Sequence, residues 1–246
     1  MKLSIVIPAY NEAENLAFAI PAIYEKLFQV NILHEILVVN DNSKDNTVEI
    51  LDNLKLTIPT LVYITNNPPH NGFGFAVRKG LENFTGDCVA IVMADLSDSP
   101  DDLLAFYHTM VAGNYDCVFG SRFIKGAKVY NYPRVKMIIN RMANNLVRMV
   151  FGIKYNDCTN AFKLYKKETI EGLKPFLAPH FNLTLELSLK AITRGYSYIV
   201  LPNSWTNRKH GTSNLKIREM GSRYFFIMLY CFIEKHFSKG DFTKKW

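Results

Sequence analysis

Six short runs of β-branched and other apolar residues, at 3–8, 34–40, 60–65, 87–93, 115–119 and 196–201, end in turn formers and alternate with helical patterns. The segments 12–29, 43–54, 72–84 and 100–112 place their apolar residues at helical spacing, with Asn11 and Ser43 read as caps and Pro21 as an internal kink. Strands alternating with helices predict an α/β fold, a doubly wound and mainly parallel sheet. In such sheets ligands bind outside the C-terminal ends of the strands. A chain of 246 residues that is 48% apolar can bury one large core, which we assign to residues 1–215, with 216–246 as a C-terminal helical extension.

The fourth run breaks off in acids: Ala90-Ile91-Val92-Met93-Ala94-Asp95-Leu96-Ser97-Asp98-Ser99-Pro100-Asp101-Asp102. Ser99 reads as a helix N-cap, Pro100 as the first helical position, and Asp101 and Asp102 as first-turn acids favoured by the helix dipole. Capping leaves Asp95 without a role. Hard divalent cations take carboxylate and hydroxyl oxygens and complete their shell with substrate phosphates, so Asp95 points to a metal-assisted phosphate site.

The first strand–helix turn is Pro8-Ala9-Tyr10-Asn11-Glu12-Ala13-Glu14-Asn15, which lacks the glycines that admit a pyrophosphate in dinucleotide-binding folds. No G-x-x-x-x-G-K-[ST] occurs anywhere in the chain, which removes the P-loop reading. The Gly72-Phe73-Gly74 pair follows Pro68-Pro69 instead of a strand and is weak support for any phosphate loop.

Cys88, Cys117, Cys158 and Cys231 form no C-x-x-C pair, so neither a zinc knot nor a disulfide framework is expected, and a reducing cytoplasmic compartment fits. The apolar run at the start is too short for a signal peptide and reads as a first strand. Most of the net charge of +7 sits in residues 208–246, where nine basic side chains face Glu219, Glu234 and Asp241. Within that stretch the ten residues from Tyr224 to Ile233 cover only about half of a ~30 Å hydrocarbon core at ~1.5 Å per residue. A basic, aromatic helix of this kind suits peripheral contact with an anionic membrane surface, and packing on the domain or on a second subunit is the alternative. Charge gathered around an apolar segment argues against a nucleic-acid partner. Residues 134–151 form a second basic amphipathic helix, with Met137, Ile138, Met142, Leu146 and Met149 on one side and Lys136, Asn140 and Arg141 elsewhere.

Four separated motifs, Ser4 to Glu12, Val39-Asn40-Asp41-Asn42-Ser43-Lys44-Asp45-Asn46-Thr47, Met93-Ala94-Asp95 and Gly120-Ser121-Arg122, resemble family-2 glycosyltransferases of GT-A fold. With Asp157 to Tyr165 and Asn207-Arg208-Lys209-His210-Gly211-Thr212-Ser213, the pattern is most similar to the polyprenyl (dolichyl) phosphate sugar transferases, over roughly residues 3–215.

The resemblance implies that Pro8, Tyr10, Glu12 and Asp41 cradle the base and ribose of a nucleoside-diphosphate sugar, with Arg78 passing beside the nucleotide. It implies a divalent cation, Mg²⁺ or Mn²⁺, at a D-x-D motif whose first acid is here Met93, leaving Asp95 with Ser97 and Asp98. It assigns Arg208 to the leaving diphosphate, and Arg122, Lys136 and Asn140 to an acceptor phosphate. Lys136 stands where the family's usual residue is arginine, and Asn140 where it is serine. A lipid phosphate, whose second pKa is about 6, attacks without a base. A hydroxyl acceptor needs one, and Asp157 or Glu186 is then the candidate. The expected activity is inverting transfer of a hexose to a polyprenyl phosphate at the cytosolic face of a membrane. A hydroxyl acceptor, or a nucleotide-sugar-binding pseudoenzyme, is the alternative. Donor identity and oligomeric state stay open.

Overall fold

The computed structural model describes residues 1–207, 217–238 and 240–244. The six predicted runs form strands β1 (Leu3–Ala9), β2 (His34–Asn40), β3 (Leu61–Thr65), β4 (Cys88–Ile91), β5 (Cys117–Ser121) and, later in the chain, β8 (Tyr198–Pro202). Between β5 and β8 lie β6 (Val129–Tyr130) and β7 (Lys163–Lys166), and β9 (Trp205–Thr206) follows. The helices are α1 (Ala13–Gln29), α2 (Thr47–Lys55), α3 (Phe73–Asn83), α4 (Pro100–Gly113), α5 (Arg134–Phe151), α6 (Lys167–Gly172), α7 (Leu183–Thr193) and α8 (Ile217–Phe237).

The main sheet runs β3-β2-β1-β4-β7-β5-β8, parallel except at β7, which is antiparallel to both β4 and β5. Residues of β1 and β2 are buried on both faces, as a parallel sheet between helical layers requires. Their side chains alternate between two cores: Val6, Leu37 and Val39 join α3, α7 and α8, whereas Ile5, Ile7 and Val38 join α1, α2 and α4. Strand order reverses direction at β1, between β2 and β4, and the crevice there is the expected ligand site of a doubly wound sheet.

Two caps differ from the sequence reading. Asn11 has φ +54° and the cap of α1 is Glu12, while Asn11 Oδ1 accepts from the Lys44 amide at 2.7 Å. Ser43 lies before α2, whose cap is Asn46, and Ser43 Oγ accepts from the Asn11 amide at 2.9 Å. The two side chains lace the turns after β1 and β2 together. Ser99 does cap α4, accepting from the Asp101 amide.

Helix α8 packs against α7, with Ile227 and Cys231 buried in the core. Arg194 and Glu234 form a two-pronged ion pair at 2.7 Å for both prongs, buried between α7 and α8. Among the described residues no helix is long and apolar enough to cross a membrane.

Lys163 of β7 is buried, and its Nζ donates to the carbonyls of Cys158 at 2.8 Å, Asn160 at 2.5 Å and Thr184 at 2.8 Å. These three bonds pin the loop before β7 to α7. Burial pushes the Lys163 ammonium down to about 7, partly offset by Cys158 and Asp157 and reinforced by Arg122. Between that value and the ordinary 10.5, the unfolded chain holds a proton that the folded chain lacks, so Lys163 makes stability rise with pH across that window. Lys163→Met leaves three carbonyls without a donor and should cost about 2–4 kcal/mol in urea unfolding. The gap between wild type and variant should widen from about pH 7 to about pH 9, and a constant gap contradicts this account.

Candidate functional site

The turns that follow β1, β2, β4, β5 and β8 open onto one cavity of about 770 Å³, within the range of ligand-binding clefts. Pro8 and Tyr10 enter from β1, Asp41 from β2, Met93 and Asp95 from β4, and Arg122 from β5. Glu12, Ser97, Asp98, Lys136 and Asn140 also line it. Most of the residues expected from the sequence therefore meet in one place. Arg208 lies outside the described residues.

At the sheet's middle, Asp41 is buried and accepts from Asn66 Nδ2 and the Gly72 amide, both at 2.7 Å. Gly72 has φ +125°, a conformation that side chains disfavour, and this turns its N–H onto the carboxylate. A carboxylate has about four acceptor sites, so both oxygens keep capacity for a base N–H or ribose hydroxyl. Tyr10, 42% exposed, stands at the cavity mouth. Arg78 does not line the cavity. Its guanidinium lies over the Phe75 ring at 5.5 Å.

After β4 the acid-rich turn is shaped by the Ser97 amide donating to Asp95 Oδ1 at 3.0 Å, with Leu96 held at φ +50°. Asp98 is buried and Asn203 Nδ2 donates to its Oδ1 at 2.9 Å. Burial pushes the Asp98 carboxyl up to about 8. Arg122 opposes the rise, and Asp95, Asp102 and Asp157 add to it. Asp95 and Ser97 offer hard oxygen donors at the cavity wall, with Met93 beside them. Among the described residues no group of three or more His, Cys, Asp or Glu could hold a metal. The donor set thus fits a cation shared with a ligand's phosphates and does not fit an all-protein cage.

After β5, Arg122 is clamped by Asp157. The carboxylate accepts from the Arg122 amide at 3.0 Å, from Nε at 2.8 Å and from Nη2 at 2.7 Å. Although burial would lower it, the Asp157 charge and hydrogen bonds raise the Arg122 guanidinium above its ordinary value, so it is a fixed cation. It lies 5.6 Å from the Tyr132 ring and 5.5 Å from the Phe123 ring. Asp157 is fully buried and is not part of the cavity wall. Here it anchors Arg122, an arrangement that does not favour the general-base role a hydroxyl acceptor would ask of it. Glu186, the other candidate for a hydroxyl acceptor, is buried, paired with Lys190 at 2.6 Å, and accepts from the Leu177 and Ala178 amides.

Asn140 sits in a closed network. Its Nδ2 donates to Tyr132 Oη at 2.7 Å, and its Oδ1 accepts from Asn144 Nδ2 and Thr159 Oγ1, both at 2.7 Å. The geometry gives it the role of a strut between α5 and the loop before β7, with a donor edge at the cavity. Lys136, one turn earlier on α5, also reaches the wall.

Several wall residues were invisible in the sequence. Phe181 stacks on Phe73 at 4.3 Å, Trp205 packs on Tyr132 at 4.7 Å, and Arg223, Tyr224 and Phe225 close the far side from α8. Asn203 links Asp98 to Asn160, whose Nδ2 reaches both Asn203 Oδ1 and the Gly120 carbonyl at 3.0 Å. Their sequence signal is confined to Arg and aromatic residues crowded into residues 223–226, which charge and hydropathy alone assign to a surface.

Residues 4–173 match the family described as Glycosyl transferase family 2. The polyprenol monophosphomannose synthase of Mycolicibacterium smegmatis is 30% identical over 216 residues, 86% of this chain and 80% of that protein. The dolichol-phosphate mannosyltransferase of Pyrococcus furiosus is 32% identical over 222 residues, 88% of this chain, which spans 60% of that relative's length. Among solved structures, the glucosyl-3-phosphoglycerate synthase of Mycobacterium tuberculosis with Mn²⁺, UDP and glucosyl-3-phosphoglycerate superposes with a TM-score of 0.67 at 16% identity, over 95% of this chain and 79% of that one. The same enzyme with Mg²⁺ and UDP gives 0.68. The fold is thus of GT-A type, as the sequence motifs imply.

If Asp157 anchors Arg122, Asp157→Asn should raise the KM for an acceptor phosphate about tenfold or more while the pH profile of kcat keeps its shape. Loss of the profile's acidic limb would restore Asp157 as the base.

Proposed function

The chain belongs to glycosyl transferase family 2 and is a glycosyltransferase, and we propose that it transfers a hexose from a nucleoside-diphosphate sugar to a polyprenyl phosphate with inversion at the anomeric carbon. One observation supports this reading above the others. The cavity is polar at the strand ends, where Asp41, Asp95 and Arg122 stand, and turns apolar between α5 and α8, where Ile139, Leu146, Phe225 and Met228 form its walls. A nucleotide sugar suits the first part and an isoprenoid chain the second. The two named relatives, a polyprenol monophosphomannose synthase and a dolichol-phosphate mannosyltransferase, support the lipid acceptor.

In this reading Pro8, Tyr10, Glu12 and Asp41 hold the base and ribose, with Asp41 accepting from donor groups of the nucleoside. Asp95, with Ser97 or Asp98 assisting, would hold Mg²⁺ or Mn²⁺ beside the donor's phosphates. When bound, the cation neutralises charge that builds on the departing nucleoside diphosphate. Asp98, buried and bonded to Asn203, stands beside Asp95 and Ser97 as a further candidate ligand. Arg122, fixed by Asp157, and Lys136 receive the acceptor phosphate, and Arg223 lines the same cavity from α8. An acceptor oxygen forms the new bond to the anomeric carbon as the carbon–oxygen bond to the diphosphate breaks on the opposite side. The acceptor is largely dianionic near neutral pH, its second pKa being about 6, so no protein base is needed. This agrees with the commitment of both candidate bases, Asp157 and Glu186, to ion pairs. Arg208 keeps its proposed role at the diphosphate. A lipid acceptor places the enzyme peripherally on a membrane, at its cytosolic face.

The test is incubation of the purified protein with labelled GDP- and UDP-sugars, Mg²⁺ or Mn²⁺ and a polyprenyl phosphate. Label should pass into the organic phase. Label found only in water-soluble product favours a hydroxyl acceptor, and no transfer from any donor favours a binding protein. Asp95→Ala should abolish metal-dependent turnover, and retention of full turnover would falsify its assignment. Met93→Asp supplies a second carboxylate and should tighten the apparent Mn²⁺ affinity about tenfold, read from activity against free metal.

A further inference from the structure

Trp205 belongs to neither apolar core of the protein. It is partly exposed and lines the cavity. An aromatic ring kept for packing alone would sit inside a core, where burial of its large apolar surface stabilises most. The strand that carries it, β9, is two residues long and pairs with the equally short β6, apart from the main sheet. What this small sheet achieves is the placement of one ring.

The main chain of β9 is fixed on both sides. On one side an antiparallel bridge pairs Trp205 with Asp98, and the Thr206 amide donates to the Ser97 carbonyl at 2.9 Å. On the other, the Trp205 amide donates to the Lys128 carbonyl at 2.8 Å and the Asn207 amide to the Tyr130 carbonyl at 3.2 Å. The indole meets the Tyr132 ring at 4.7 Å, tilted by 43°, and the Tyr132 ring lies 5.6 Å from the Arg122 guanidinium. Trp205 is thus held against the acid-rich turn through its backbone and against the ring that covers Arg122 through its side chain.

We propose that Trp205 is the platform on which the hexose rests during transfer, with the apolar C–H face of the sugar ring laid on the indole. The proposal rests on the nucleotide-sugar reading above and deepens it by naming a residue that touches the sugar. In that reading the diphosphate sits at the acid-rich turn and the acceptor phosphate at Arg122, and displacement in line requires the hexose between them. Trp205 adjoins both. A pyranose carries hydroxyls around its rim and C–H groups on its faces, so its site needs polar groups at the edge and one apolar plane. Asn160 and Asn207, also in the cavity wall, offer the first, and the indole offers the second. Glycosyl transfer builds positive charge on the sugar ring, and the electron-rich indole face favours that charge, so the platform acts on turnover as well as on binding.

Two measurements on the full chain test this. The chain has two tryptophans, Trp205 and Trp246, so Trp246→Phe leaves Trp205 as the sole tryptophan emitter. With Mn²⁺ present, GDP-mannose or UDP-glucose should shift that emission well beyond GDP or UDP alone. In the second measurement, Trp205→Leu should lower kcat about tenfold or more and weaken binding of the sugar nucleotide, while calorimetry gives an unchanged affinity for the sugar-free diphosphate. Trp205→Phe should restore most of the activity. Equal weakening of sugar nucleotide and bare diphosphate by Trp205→Leu marks a structural strut and overturns the platform. An emission that responds identically to GDP and GDP-mannose, and to UDP and UDP-glucose, in protein that transfers either sugar also overturns it and leaves the nucleotide-sugar reading standing. Sugar-dependent emission accompanied by transfer to a hydroxyl acceptor alone overturns the lipid acceptor and upholds the platform. Binding of no nucleotide sugar overturns the reading and the platform together.

Discussion

Asp157 holds Arg122 by three hydrogen bonds at once, one to its main-chain amide and two to its guanidinium. One carboxylate thereby fixes both the path of the chain leaving β5 and the direction of the charge that the chain carries. Burying two ions costs several kcal/mol each, and only a fork of this quality offsets it. The rest of the cavity is arranged around that cation. Tyr132 and Phe123 cover its faces, the Asn140 network ties Tyr132 to α5, and Asn203 and Asn160 connect Asp98 to the end of β5. Asp98 is drawn toward ionisation by Arg122 yet is held near 8 by burial, so Asp157 is the carboxylate that balances the Arg122 charge.

What the sequence made legible were the features with local causes. Short β-branched runs gave six strands, and turn residues at their C-terminal ends gave the position of the cavity. The bounds of α5 and the Ser99 cap also follow from periodicity and capping chemistry. β7 escaped notice because lysines bracket its four residues and one of them, Lys163, turns its side chain into the core to bind three carbonyls. α7 escaped for a different reason. Its segment Leu183-Thr184-Leu185-Glu186-Leu187-Ser188-Leu189-Lys190 alternates apolar and polar residues as a half-buried strand would. The helix is buried all round, and the i,i+4 pair of Glu186 and Lys190 lets both charges sit inside it, so no amphipathic signal remains.

Site residues followed the same division. Those in strand-end turns could be named from the chain, since topology alone brings them together. The partners of Asp157 and Glu186 could not be read from the chain, because a carboxylate's identity says nothing about which cation lies within hydrogen-bonding distance. Phe181, Asn203 and Arg223 approach from loops and a helix far along the sequence, and their meeting depends on tertiary packing with no local pattern behind it.

The wall that Arg223, Tyr224, Phe225 and Met228 build belongs to α8, clipped to α7 through Arg194 and Glu234. Every strand of the main sheet precedes α8 in the chain, so without this helix the crevice at the strand ends would be a trough open on one side, and α8 turns it into a chamber.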